Sequence, residues 1–226
     1  MSLFKTRSAA VYGIDAHLIE VEVDMYASGT SRDFVMVGMP DIAVRESRER
    51  IKSALINSGF GYPGKAVTVN LAPANVRKEG GGFDLPMAMG ILGAMGVIRG
   101  LDQHILMGEL SLDGSIRPVR GALSVAVCAR EKGIPNLILP ADNAAEAAVV
   151  AGVNVYGVRH LAEVVALLTR PEEFAPASSV TNGTAVESAA APDFREVRGQ
   201  TMAKRALEVA AAGAHNVLML SPFCCQ

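Results

Sequence analysis

Between Leu18 and Met25 the chain alternates without a break. Ile19, Val21, Val23 and Met25 fall on one side, Glu20, Glu22 and Asp24 on the other. That period of two predicts a strand with one buried face. It is the second of two strands over residues 8–27, separated at Gly13-Ile14-Asp15. Phe34-Val35-Met36-Val37-Gly38 reads as a third, more buried strand, closed by Met39-Pro40-Asp41. The period then changes to that of a helix. Val44, Ile51 and Leu55 face inward, Asp41 is placed to cap the first turn, and Gly59 ends the run just after Ser58. Arg45 with Glu49, and Glu46 with Arg50, sit one turn apart and can pair. They predict a solvated face, with a surface turned toward DNA as the sharper alternative.

A fourth strand-like run ends at Val67-Thr68-Val69-Asn70-Leu71 and feeds a loop, Arg77-Lys78-Glu79-Gly80-Gly81-Gly82-Phe83-Asp84-Leu85-Pro86. The rest of the chain is organised around this loop. Gly80, Gly81 and Gly82 can adopt backbone conformations closed to other residues, so their amides can press close to a neighbour. Asp84 occupies the place of a helix N-cap, and Pro86 the first turn, where a missing N–H does no harm. The charge-free run from Leu85 to Ile98 mixes Ala88, Gly90, Gly93 and Ala94 with large apolar residues. It predicts a buried core helix, too short for the roughly 20 residues that cross a bilayer.

Further along, Ile105–Leu110 and Ile116–Val119 flank Asp113-Gly114, a hairpin signal. Gly121 precedes a helix through Leu123, Val125 and Val127 that ends near Lys132-Gly133. Strands at 137–140 and 153–157 alternate with helices at 142–150 and 160–169. The class is therefore α/β or α+β, with helices stacked on a mixed sheet. From Pro171 to Pro192 large apolar residues nearly vanish, which predicts a flexible linker over 171–192. Gly199 to Ala212 is a predicted helix with Ala203, Leu207 and Ala210 inside, and Val217-Leu218-Met219-Leu220 a predicted buried strand. One helix and one strand cannot bury their own apolar faces. Residues 193–226 therefore read as part of a second domain.

Composition adds few constraints. Of 226 residues, 50% are hydrophobic and 19% charged, enough for a sizeable core. A net charge of -2 gives no global bias toward nucleic acid. Three cysteines and a start without a long apolar stretch suggest a cytoplasmic protein with no signal peptide. His17, His104, His160 and His215 lack metal-ligand spacing, Cys224-Cys225 has no second pair, and Cys128 lies on an apolar helix face. We expect no metal site. Glu109 and Asp113, on a strand and its turn, receive no acid–base role.

The run Gly108-Glu109-Leu110-Ser111-Leu112-Asp113-Gly114-Ser115-Ile116-Arg117-Pro118-Val119, with Gly133-Ile134-Pro135-Asn136-Leu137-Ile138-Leu139-Pro140, resembles the Lon protease domain. Over 8–220 the chain is more similar still to the YifB/ComM family, also called magnesium-chelatase-like proteins. Val37-Gly38-Met39-Pro40-Asp41, Glu46-Ser47-Arg48-Glu49-Arg50, Asn70-Leu71-Ala72-Pro73-Ala74, Phe83-Asp84-Leu85-Pro86 and Ala203-Lys204-Arg205-Ala206-Leu207-Glu208 carry the likeness. The resemblance implies a Lon-like domain over 1–170, the linker, and the start of an AAA+ ATPase module at 193–226. It also implies a full-length protein that binds ATP and Mg, forms a hexameric ring, and drives DNA branch migration during recombination in natural transformation. A Lon-like serine peptidase and a magnesium-chelatase-type subunit are the alternatives.

Two departures matter. Aligned on the resemblance, the protease serine falls on Gly82 and its lysine base on Leu123, so no catalytic residue is assigned. A swapped pair of Ser124 and Lys78 would need a different geometry. The family also continues past its last strand into a Walker A loop of glycines and a lysine. Here Ser221-Pro222-Phe223-Cys224-Cys225-Gln226 supplies neither, so no nucleotide ligand is expected for this chain. Arg77 and Lys78 remain as cations that could meet DNA or a neighbouring subunit.

Overall fold

The computed structural model describes residues 2–27, 34–178 and 196–219. Contacts divide the chain into two units, Met1–Val180 and Thr181–Gln226. The first unit holds strands β1 (Ser2–Tyr12), β2 (Asp15–Tyr26), β3 (Phe34–Val37) and β4 (Ala66–Ala72), with helix α1 (Ile42–Asn57) between β3 and β4. Helix α2 (Asp84–Ala94), strand β5 (His104–Leu106) and the β6 (Glu109–Leu110)/β7 (Ile116–Arg117) hairpin follow. Then come α3 (Ala122–Glu131), β8 (Asn136–Pro140), α4 (Ala141–Ala147), β9 (Asn154–Val158) and α5 (Leu161–Thr169). The class is α+β, as the sequence predicts.

The first sheet runs β1-β2-β4-β3, antiparallel except for the β3–β4 pair; the second, β5-β8-β9, is wholly parallel. Each divides its two faces between different cores. On β2, Ile19, Val21, Val23 and Met25 join the cluster with α1 and α2, whereas Leu18 and Ala16 turn to a second cluster with α3. On the second sheet Leu106, Ile138 and Val158 join the first cluster, while Ile105, Leu137, Leu139 and Val155 join the second. A parallel strand buried on both faces explains the unbroken apolar run Leu137-Ile138-Leu139.

β1 begins at Ser2, six residues earlier than the sequence predicts. Its inward positions include Thr6 and Ser8, both buried, so polarity hides the alternation. Thr6 Oγ1 donates to the Pro86 carbonyl at 2.9 Å. Helix α2 ends at Ala94, short of the predicted Ile98. Nine of its eleven residues are buried, and Met87, Met89, Ile91 and Leu92 are wholly so, each worth roughly 1.5–3 kcal/mol. Its glycines permit the close approach. A Cβ on Gly90 would lie 2.5 Å from Val23 Cγ2, and one on Gly93 would lie 2.3 Å from the Phe4 ring.

Residues 171–178 stay on the first unit. Pro171–Glu173 form a 3-10 turn, Phe174 packs on the main core, and Ala177 N–H donates to the Val155 carbonyl at 2.7 Å. The remainder of the predicted linker, 179–192, lies outside the described residues. In the second unit α6 (Thr201–Gly213) matches the predicted helix, with Ala210 as its buried residue. The predicted strand is a correction: Val217, Leu218 and Met219 lie in no strand and are exposed, for no described strand pairs with them. Leu220 and 221–226 lie outside the described residues.

Candidate functional site

The glycine loop is fastened from both sides. Gly108 N–H donates to the Gly82 carbonyl and Leu85 N–H to the Gly108 carbonyl, both at 3.0 Å, which lashes the loop to the β5–β6 connection. Space for this exists because position 108 has no side chain; a Cβ there would lie 2.7 Å from Ile116 Cγ2. On the other side Asp41 caps α1 as predicted, its Oδ1 accepting from Val44 N–H at 2.7 Å. Its Oδ2 accepts from Gly80 N–H at 3.4 Å, so one carboxylate ties the start of α1 to the loop.

Asp84 is not the N-cap. Gly81–Phe83 form a 3-10 turn, Phe83 occupies the cap position, and Asp84 is already helical with its side chain turned inward. Its wholly buried carboxylate receives Arg50 Nε at 2.7 Å on Oδ2 and Arg50 Nη2 at 3.0 Å on Oδ1. Leu110 N–H adds a third bond at 3.1 Å. Burial pushes the Asp84 carboxyl up to about 6, against the guanidinium and amide that hold the anion. Arg50 therefore pairs with a residue 34 positions away rather than with Glu46, and it pins α1, α2 and the hairpin together.

Arg77 and Lys78, predicted as a pair of contact cations, separate. Arg77 is exposed at the rim and meets Glu79 Oε1 at 2.9 Å. Lys78 is wholly buried: its Nζ donates to the Gly38 carbonyl at 2.8 Å and to the Pro73 carbonyl. Burial pulls its ammonium below the usual lysine range. Such a side chain positions the loop base and cannot reach a partner, so Lys78 is withdrawn from the predicted pair of contact cations.

The loop forms the floor of a cleft of about 770 Å³. Gly80, Gly81 and Gly82 line it, facing a wall of Pro118, Val119, Arg120 and Gly121. Buried Asn143 holds that wall by two hydrogen bonds to Val119, accepting from its N–H at 2.8 Å and donating to its carbonyl at 2.9 Å. Glu109 leans against the loop, where a Cβ on Gly81 would meet its Oε2 at 2.5 Å. Tyr12, Arg120 and Asn143 were not singled out in the sequence, and Glu109 was given no role there, since no local spacing signals a wall built from four distant segments.

The stretches that the resemblance sets against a protease nucleophile loop and the approach to its lysine meet at one cleft. Its lining contains no serine, threonine, cysteine, histidine or lysine. Gly82 is at the floor, where a Cβ would press to 3.3 Å from Met107 Cε and displace it slightly. Leu123 is 42% exposed, outside the lining, its N–H bonded to Glu146 Oε1 at 3.1 Å. Ser124 and Lys78 are also absent from the lining. Among the described residues no group of three metal-ligating side chains is assembled, and no helix is long and apolar enough to cross a membrane.

The family described as ChlI, subunit ChlI of Mg-chelatase, matches residues 21–143, and that described as magnesium chelatase, subunit ChlI, matches residues 193–225. Competence protein ComM of Haemophilus influenzae is 41% identical over 98% of this chain, and YifB of Escherichia coli 39% over 98%. The chain spans 44% and 43% of their lengths. Lon protease 1 of Herpetosiphon aurantiacus is 31% identical over 42% of the chain and 12% of its own length. This chain belongs to the magnesium-chelatase ChlI-like family, with the ComM and YifB proteins among its relatives.

Proposed function

We propose that residues 1–178 act as a non-catalytic N-terminal domain of a ComM/YifB-type AAA+ protein. The carrying observation is the cleft: it has a Lon-like floor and wall, yet nothing in its lining can serve as the serine nucleophile or lysine base. Without that chemistry the domain's work is structural. The Arg50–Asp84 pair, Lys78 and Asp41 hold the glycine loop at a fixed height, and Arg77 presents a cation at its rim to a phosphate or a neighbouring subunit.

In this reading the whole protein is a cytoplasmic hexameric ring that uses ATP and Mg to drive branch migration of DNA during recombination. ATP supplies the energy of translocation in such a module. Described residues 196–219 carry α6 and an exposed apolar segment without a phosphate-cradling glycine loop, so no nucleotide step is assigned to this chain's residues.

The test is a chimera in which this domain replaces the corresponding part of the Haemophilus relative. We expect ATP-dependent migration of a branched DNA junction within about threefold of the parent, and little with the domain deleted. ATP turnover at the parental rate without junction movement would overturn the reading.

A further inference from the structure

The solvent face of α1 is sorted by charge. At 3.6 residues per turn, Arg45, Arg48, Lys52 and Ile56 succeed one another at three- and four-residue steps and share one flank. Glu46 falls on the opposite flank with Arg50, which is engaged inward by Asp84. Glu49 stands on the crest and reaches Arg48 at 3.5 Å; the pair is exposed and adds little stability, and the carboxylate takes one charge from the flank. Arg45 and Lys52 have no carboxylate partner among the described residues. The flank is therefore a basic stripe on a chain of net charge -2.

Depressions bracket the stripe. At its N-terminal end Met39, Pro40, Asp41, Ile42 and Arg45 border one with Arg77, which is exposed at the loop rim and meets Glu79 at 2.9 Å; Asp41 is engaged by the Val44 and Gly80 amides. At its C-terminal end Arg48, Lys52 and Ile56 border another, of about 400 Å³, with Tyr62, Pro63 and Gly64. Tyr62, partly buried and packed on the main core, shows its remaining surface in that hollow beside two cations. The helix rises 1.5 Å per residue, so successive cations are offset by about 4.5 and 6 Å along the axis.

We propose that this flank is a track for single-stranded nucleic acid. Arg77, Arg45, Arg48 and Lys52 meet successive phosphates, and Tyr62 offers a face on which a base stacks. A basic groove following the backbone beside an aromatic platform is what sequence-tolerant single-strand binding requires. An acidic peptide would use the cations alone and draw nothing from the exposed part of the Tyr62 ring. The proposal rests on the DNA reading above and moves the main contact from the glycine loop to α1.

The test is fluorescence anisotropy of the 226-residue chain with a fluorescein-labelled oligothymidylate of about twenty residues, at salt from 50 to 200 mM. Glutamine keeps helix propensity and side-chain length, so the triple variant Arg45→Gln, Arg48→Gln, Lys52→Gln preserves α1. We expect micromolar binding by the wild type at 50 mM and at least tenfold weaker binding by the triple variant. The slope of log affinity against log salt should flatten by about 2, from 0.7 per phosphate contact. Tyr62→Leu should weaken binding fivefold or more at unchanged slope. Arg130→Gln with Lys132→Gln, at the end of α3, should stay within twofold. Absence of binding at 50 mM overturns the proposal, as does an equal loss in the α3 control. So does an unaltered Tyr62→Leu, or tighter capture of a polyglutamate peptide than of the oligonucleotide. Circular dichroism confirms that each variant is folded. A chimera that moves junctions while the stripe variants bind normally would sink the stripe and leave the domain's role standing.

Discussion

Helices α2 and α6 have eleven and thirteen residues and rest on opposite foundations. α2 contains Gly90 and Gly93, poor helix formers, and is a helix because nearly all of it is packed. α6 contains five alanines, the best helix former, and buries Ala210 alone. Their anchoring differs in the same way. The first turn of α2 is held by a bidentate pair whose carboxylate is wholly buried. α6 carries the Arg205–Glu208 pair at 3.2 Å, with side chains 75% and 53% exposed. Packing sustains one helix and intrinsic propensity the other, so the same kind of substitution should act oppositely on them.

The largest effect should come from the anchor. Arg50→Ala leaves the Asp84 carboxylate buried without its partner and should cost about 3–5 kcal/mol in urea unfolding. Arg205→Ala should change global stability by less than about 0.5 kcal/mol. An equal, small effect for both would show that the buried pair does not hold the loop.

Next comes the pH dependence of that anchor. The Asp84 carboxyl lies near 6 in the folded protein against 3.8 unfolded, so between those values the folded state holds the proton more tightly. Stability from this group is complete below pH 4 and is lost as pH rises through 6. At 1.36 kcal/mol per pKa unit the loss reaches about 3 kcal/mol. Unfolding of wild type and Asp84→Asn, compared from pH 4 to 7, isolates it: the wild type's advantage should shrink with rising pH. An advantage that grows would mean that Arg50 outweighs burial. There is no conflict with the first prediction, because a buried pair can be costly to break and still no better than a neutral substitute.

A smaller effect separates packing from propensity directly. Gly90→Ala improves helix propensity yet drives a Cβ to 2.5 Å from Val23, and should destabilise by about 1–3 kcal/mol. Ala211→Gly, at an exposed site of α6, should cost about 1 kcal/mol of local helicity, seen by circular dichroism, and leave the main unfolding midpoint in place.

The comparison also explains what the sequence could disclose. Where a residue's fate depends on near neighbours, it was legible: the alternation of β2, the Asp41 cap, the Asp113-Gly114 turn between β6 and β7, and the buried α2 all stand as predicted. Where it depends on a distant partner, it was not. Arg50 has Glu46 at the right helical spacing, and only the tertiary fold brings Asp84 to it instead. Lys78 sits among charged and glycine residues that suggest a surface loop, but the carbonyls of Gly38 and Pro73 draw it inside. The cleft was half visible. Gly82 and Leu123 could be set against a serine and a lysine by resemblance, while Tyr12, Glu109, Arg120 and Asn143 arrive from segments with no common period. The apolar pattern of 217–219 promised a strand, and pattern alone cannot supply the neighbour a strand needs.

The claim that the cleft retains a protease's shape without its chemistry is tested most directly by incubating the purified chain with fluorescein-labelled casein, with and without ATP and Mg²⁺. The account predicts no release of labelled peptide above a buffer control. Steady degradation that co-purifies with the chain and disappears in Ser124→Ala would contradict it.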